Sequence, residues 1–196
     1  MENSTMKRLA LASAVGGVMA VSMPAMAETF NTTATVSNTI TLNETTALNF
    51  GTLFAVHDSD GDDTTLAAFQ VSTAGAATVT AGVAGGGGTA SKVVGLGGHA
   101  AGQLDVTGAA AFTDLTVTSG GGLVDLTHES GSPNAAAVTM TAIVTDPANA
   151  ATGQTDASGN LSIDVGGTIT TTNDPTDTSG YLDGVYTGSY DVSVSY

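Results

Sequence analysis

The chain reads as all-β, an antiparallel β-sandwich, and three observations predict it. Helix signals nearly vanish after residue 27, where Thr, Val, Gly, Ala and Ser dominate, and Thr and Val favour a pleated surface. Short runs of period-two alternation recur along the chain, the mark of half-buried strands. Gly, Asp, Asn or Ser separates most of them, giving about eight to ten short strands at the spacing of a sandwich or barrel.

The runs follow in order: "TATVSNTITL" (33–42), "ALNFGTLFAV" (47–56), "AAFQVST" (67–73), "AATVTAG" (76–82), "GQLDVTG" (102–108), "TDLTVTS" (113–119), "LVDLTH" (123–128), "AAVTMTAIV" (136–144), "NLSIDVGG" (160–167) and "GVYTGSYDVSVSY" (184–196). Three stretches read as loops. "HDSDGDD" (57–63) is charged, "AGVAGGGG" (81–88) is too flexible to form a strand by itself, and "TTTNDPTDTSGYLDG" (170–184) is rich in turn formers. No fixed-period repeat and no linker divides the chain.

Residues 1–27 have the form of a cleaved export signal: a basic start at Lys7 and Arg8, a Gly-interrupted apolar run, and "AMA" before the expected cut after Ala27. That leaves 28–196 as a single domain, long enough for a real core, with no later run long enough for a transmembrane helix. The whole chain carries a formal charge of −15, and beyond residue 27 Lys92 is the single Lys or Arg. Phosphate recognition needs Lys and Arg, so nucleic acid is excluded as a partner, and attraction to anionic lipid fails for the same reason. The absence of cysteine excludes disulfides and thiol chemistry.

Chemistry has few candidates. Asp58, Asp60, Asp62 and Asp63 set carboxylates in a Gly-containing loop, a pattern that converges on a hard cation such as Ca²⁺ or simply solvates a hairpin. An EF-hand opening at Asp58 would want Gly at 63 and Glu at 69, where the chain has Asp63 and Phe69. No other cofactor is expected. His57, His99 and His128 are scattered, and strand neighbours in "HES" (128–130) point to opposite faces, so neither a zinc site nor a nucleophile with its base is nominated. The chain is read as no enzyme. There is no Trp, and all four Tyr lie in 181–196, which leaves little for a sugar-binding platform.

The last run alternates cleanly. Tyr186, Gly188, Tyr190, Val192, Val194 and Tyr196 share one face, and polar residues fill most of the other. Read as one strand, it closes the core with Tyr196 plugging one end.

The segments "ITLNETTALNFGTL" (40–53) and "GVYTGSYDVSVSY" (184–196) resemble a secreted bacterial family known as domain of unknown function family 4402. Its members share a Leu-x-Phe-Gly-Thr segment and a Tyr-rich closing strand, and the middle of the chain is similar in texture only. The resemblance implies an Ig-like, pilin-like sandwich, similar to chaperone–usher pilins and spore-coat-U-type domains. Gly184 and Tyr196 stand twelve positions apart as in pilins, but Tyr196 is the last residue where pilins place their Tyr next to last. By the same resemblance the chain would be an exported structural or adhesive subunit of a surface fibre or coat. It would self-associate or join related subunits, with a periplasmic chaperone as a further partner, in the periplasm, at the cell surface or outside the cell. A subunit of that kind accepts a strand from its neighbour, and Gly184 would let the partner's backbone approach. The donor arm would be 28–38, with Phe30, Thr32, Ala34 and Val36 on one face; the other reading pairs the same segment within its own domain. One alternative is a self-contained secreted module binding a ligand or Ca²⁺. A second is a small outer-membrane β-barrel, which also ends on an aromatic residue but needs aromatic girdles that five Phe and four Tyr scarcely supply.

Overall fold

A computed structural model describes residues 39–58, 60–120, 124–131, 138–172 and 180–196. The export signal and the donor arm with Phe30, Thr32, Ala34 and Val36 lie outside the described residues. Among the described residues there is no helix, and strands succeed one another from the start. They are β1 (Thr41–Thr46), β2 (Thr52–Val56), β3 (Asp63–Thr65), β4 (Ala68–Val71), β5 (Ala77–Thr80), β6 (Val83–Ala84), β7 (Lys92–Gly97) and β8 (Gly102–Thr107), then β9 (Asp114–Ser119), β10 (Val124–His128), β11 (Val138–Asp146), β12 (Thr152–Gln154), β13 (Leu161–Thr170), β14 (Tyr186–Thr187) and β15 (Val192–Ser195). The count exceeds the eight to ten expected. The short β3, β6 and β12 and the Gly-interrupted β7 escape a search for alternation, and the last run forms two strands.

All pairings are antiparallel. The large sheet runs β1-β8-β13-β11-β10-β14, with β4 and β5 continuing from β13. Central β13 pairs with β8 up to Val165, then with β4 from Gly167. Gly166 sits at the changeover, where a Cβ would lie 2.5 Å from the Val71 carbonyl oxygen. The sheets β12-β9-β15 and β2-β7 cover this surface. Their inward residues Leu115, Val117 and Val93 join Phe69, Val106, Ile163 and Val165 in one core. Burying each such large side chain contributes about 1.5–3 kcal/mol.

Two bent ladders connect the layers. Residues 41–56 run against 92–107 with the register nearly unbroken: Thr41 opposes Thr107 in the large sheet, Asn49 bridges Ala100 at the bend, and Val56 opposes Lys92 in the covering pair. At this corner Leu48 and Phe50 pack onto Gly167 of β13, and the Gly51 N–H donates to Asn49 Oδ1 (2.7 Å). Gly51 has φ +75°, and a Cβ there would lie 2.3 Å from the Gly97 carbonyl oxygen. That explains each letter of "LNFG". The second ladder sets β9 and β10 against β15 and β14, with the Gly120 N–H donating to the Asp191 carbonyl (2.7 Å) between them. Strands that change sheet at a bend are a known way to turn a sandwich corner.

The closing run therefore departs from the expectation of a single strand: β14 edges the large sheet and β15 edges the small one. Tyr190, Val192 and Val194 pack on the core. Tyr196 does not plug it. The side chain is 56% exposed, and its hydroxyl accepts a hydrogen bond from the Ala110 N–H at 3.3 Å.

Gly51→Ala should destabilise the domain by more than Gly131→Ala in urea unfolding. Gly131 has φ +62° and meets no described residue, so its substitution isolates backbone strain, about 1–2 kcal/mol; Gly51 adds the collision. A second expectation concerns acid. Asp156 Oδ1 accepts the N–H groups of Asn160 (2.9 Å) and Ser158 (2.8 Å) in the turn before β13, which holds its carboxyl below the ordinary value. A lowered folded pKa gives stability that is full above about pH 4 and lost as pH falls through the folded value. Asp156→Ala should therefore flatten the acid limb of a stability-versus-pH curve and leave its alkaline side alone.

Candidate functional site

Between the two ladders the sandwich is open. A cavity of about 900 Å³ lies over Leu126, Met140 and Ile169 of the large sheet, walled by 48–55 on one side and 181–188 on the other. Packed interiors hold few voids larger than a water molecule, so here the core is not closed by the described residues. Among them, β2 pairs only with β7 and β14 only with β10. Each wall thus offers a strand edge whose N–H and C=O groups have no ladder partner on the cavity side.

The 181–188 wall is held by aromatic edges and hydroxyls. Tyr181 meets His57 edge-on at 6.0 Å and Tyr186 at 6.5 Å, and Tyr186 meets His128 at 4.9 Å. The Tyr181 hydroxyl accepts from the Thr172 N–H (3.0 Å), and the Tyr186 hydroxyl both accepts from the Leu182 N–H and donates to its carbonyl. Burial, and next the charge of Glu44, push the Tyr190 hydroxyl up. His128 Nε2 lies 3.1 Å from the Asp183 carbonyl, which can only accept, so Nε2 carries the proton and Nδ1 accepts from Ser130 Oγ at 2.7 Å. His128 ends β10 and Ser130 lies in the following turn, which folds the hydroxyl back onto the ring. The pair locks a turn.

Gly184 packs on this lock. A Cβ there would lie 2.3 Å from His128 Nε2 and 2.6 Å from Glu129 Oε1, at φ +145°. Within the chain, the close approach at Gly184 is to the side chains of His128 and Glu129.

The acidic loop borders the same wall, since the Asp58 N–H donates to the Thr172 carbonyl (3.2 Å). Asp58 is buried. Its Oδ2 accepts the Asp63 N–H (2.8 Å), and Oδ1 accepts those of Asp60 (3.0 Å) and Gly61 (3.1 Å). These donors, the Asp63 N–H foremost, hold its carboxyl below the ordinary range against the cost of burial. Asp63 Oδ2 accepts the Ser91 N–H (2.8 Å) at the start of β7, and Ser91 Oγ accepts the Ala67 N–H (2.8 Å). Asp58, Asp62 and Asp63 each bring a carboxylate oxygen within 4.8 Å of the others, while Asp60 lies against Gly88 instead. Three of the four aspartates therefore converge. Ser91 was invisible to a search for metal ligands because its part is to hold an aspartate.

Gly184→Ala should lower the melting temperature and weaken the near-ultraviolet circular dichroism of Tyr186 and its neighbours, because the new methyl must displace the His128 ring. Unchanged aromatic signals would mean that the wall is held elsewhere. Neither a family model, nor a curated protein, nor a solved structure matches the chain.

Proposed function

We propose that the chain is an exported structural subunit of a surface fibre or coat, whose open sandwich is completed by an added β-strand. The observation that carries this reading is the cavity over Leu126, Met140 and Ile169, flanked by two strand edges without ladder partners among the described residues. An extended segment laid between β2 and β14 would hydrogen-bond to both edges and send alternate side chains onto Leu126, Met140 and Ile169. The segment 28–38 has the right form, with Phe30 and Val36 as its large apolar side chains and Thr32 and Ala34 between them. Donated by a neighbouring copy or a related subunit, it would link subunits; a periplasmic chaperone could hold the cavity until then. Phe69, Val106, Leu115, Val117, Ile163 and Val165 are buried in one core, which favours this reading over a membrane barrel with its apolar outer band. Among the described residues no helix is long and apolar enough to cross a membrane.

Light scattering and thermal melts of 28–196, with and without the double substitution Phe30→Ser and Val36→Ser, test this. The unaltered chain should form larger species. The variant should be a less stable monomer, rescued by a synthetic peptide of residues 28–38 in proportion to ln(1 + [peptide]/Kd). Equal, peptide-insensitive melting of two monomers would defeat the proposal.

A further inference from the structure

The acidic loop is not explained by strand addition, and its interior is unbalanced. The Asp62 and Asp63 side chains are half-buried, yet their Oδ1 atoms are shut off from solvent and have no hydrogen-bond partner among the described residues. Buried carboxylate oxygens normally have partners, and an orphan calls for an explanation such as an ion. Asp62 and Asp63 also each bring a carboxylate oxygen within 4.8 Å of the other's and of one from Asp58, an arrangement that like-charge repulsion opposes. Lys92, the single Lys or Arg after residue 8, is exposed.

The wall opposite the loop is built without side chains. A Cβ at Gly86 would lie 2.7 Å from Asp62 Oδ2, one at Gly88 would lie 2.4 Å from Asp60 Oδ2, and one at Gly85 would lie 2.3 Å from the Asp62 carbonyl oxygen. The run "GGGG" (85–88) that composition marks as flexible is thus a close-fitting cradle, fixed to the loop by the hydrogen bond from the Gly85 N–H to the Asp62 carbonyl (2.9 Å).

We propose that Asp58, Asp62 and Asp63 bind Ca²⁺. Asp62 and Asp63 offer their orphaned Oδ1 atoms. Asp58 offers the lone pair left on Oδ2, because its Oδ1 already accepts two N–H groups and its Oδ2 one. An all-oxygen carboxylate set suits a hard cation, and three protein ligands leave room for the water or carbonyl oxygens that complete a coordination of six to eight. Mg²⁺ fits less well, because it demands a near-ideal octahedron and gives up water reluctantly. With three carboxylates the affinity belongs in the range of extracellular modules, about 10⁻⁴–10⁻³ M. The ion would clamp the 57–63 loop to the glycine cradle and, through Asp63 and Ser91, to the start of β7.

Calorimetric titration and thermal melts of the chain 28–196 in CaCl2, MgCl2 and EDTA test the assignment. About 10 mM Ca²⁺ should raise the melting temperature by about 3–10 °C over EDTA, with a smaller rise in Mg²⁺. Asp62→Asn should weaken Ca²⁺ binding by at least about tenfold, and Asp60→Asn, whose carboxylate lies against Gly88 outside the converging group, should leave it unchanged. The Phe30→Ser and Val36→Ser variant should bind Ca²⁺ normally, so the two proposals fail separately. No Ca²⁺-dependent heat or stabilisation in the unaltered chain would overturn the site, and so would equal stabilisation of that chain and Asp62→Asn.

Discussion

The fold depends on keeping hydrogen-bonded strand pairs together while they turn from one sheet into the other. A single strand turning alone would leave a row of N–H and C=O groups unpaired inside the protein, each costing about 1–3 kcal/mol. Here both partners of a ladder bend at once, so the pairing nearly survives the corner: Asn49 and Ala100 exchange backbone hydrogen bonds of 3.0 and 2.8 Å in the middle of the first bend. Such a bend brings two backbones closer than side chains allow, which is why Gly51 faces Gly97 and why Gly188 lies against Leu126. The cavity follows from the same design, since it opens where the walls of the two ladders stand apart.

Charge is handled by backbone as much as by counter-charge. With hardly a base in the chain, aspartates that enter the structure are met by N–H groups: three at Asp58, two at Asp156, one at Asp63. Backbone donors are fixed in place by the turns they close, so they order a loop without a second side chain. Their geometry also limits them. A turn places its N–H groups around one carboxylate, and the neighbouring Asp62 and Asp63 each keep a buried oxygen that the turn does not reach.

Alternation made β8, β9, β11 and β13 legible because each buries one face regularly: Leu104 and Val106, Leu115 and Val117, Met140 and Ile143, Ile163 and Val165. It hid β7, whose Val93 is buried while Val94 and Leu96 are exposed beside Phe54, so both faces read apolar. It also could not show the closing run changing sheets. Each sheet presents one face to the same core, so inward residues keep their period through the bend and the change leaves no trace in the pattern. Three of the four loop aspartates were legible as a group from their spacing. The glycine cradle was not, because its partner carboxylates lie over twenty positions away, and sequence proximity carries no sign of that contact.

The in-step register of the first ladder bears on how such a sequence can change. One residue inserted between 41 and 56, or between 92 and 107, would shift the pairing and turn inward side chains outward in both layers at once. A tolerated insertion there would need a matching one on the facing arm. The stretch 57–91 joins the two arms at their far end, and the turns within it can lengthen or shorten without touching that register, while β4 stays fixed by its pairing with β13. Among descendants of this sequence, length should therefore be frozen in the arms and in β4 and free to drift in the turns between them, with the aspartates and glycines of that stretch changing together.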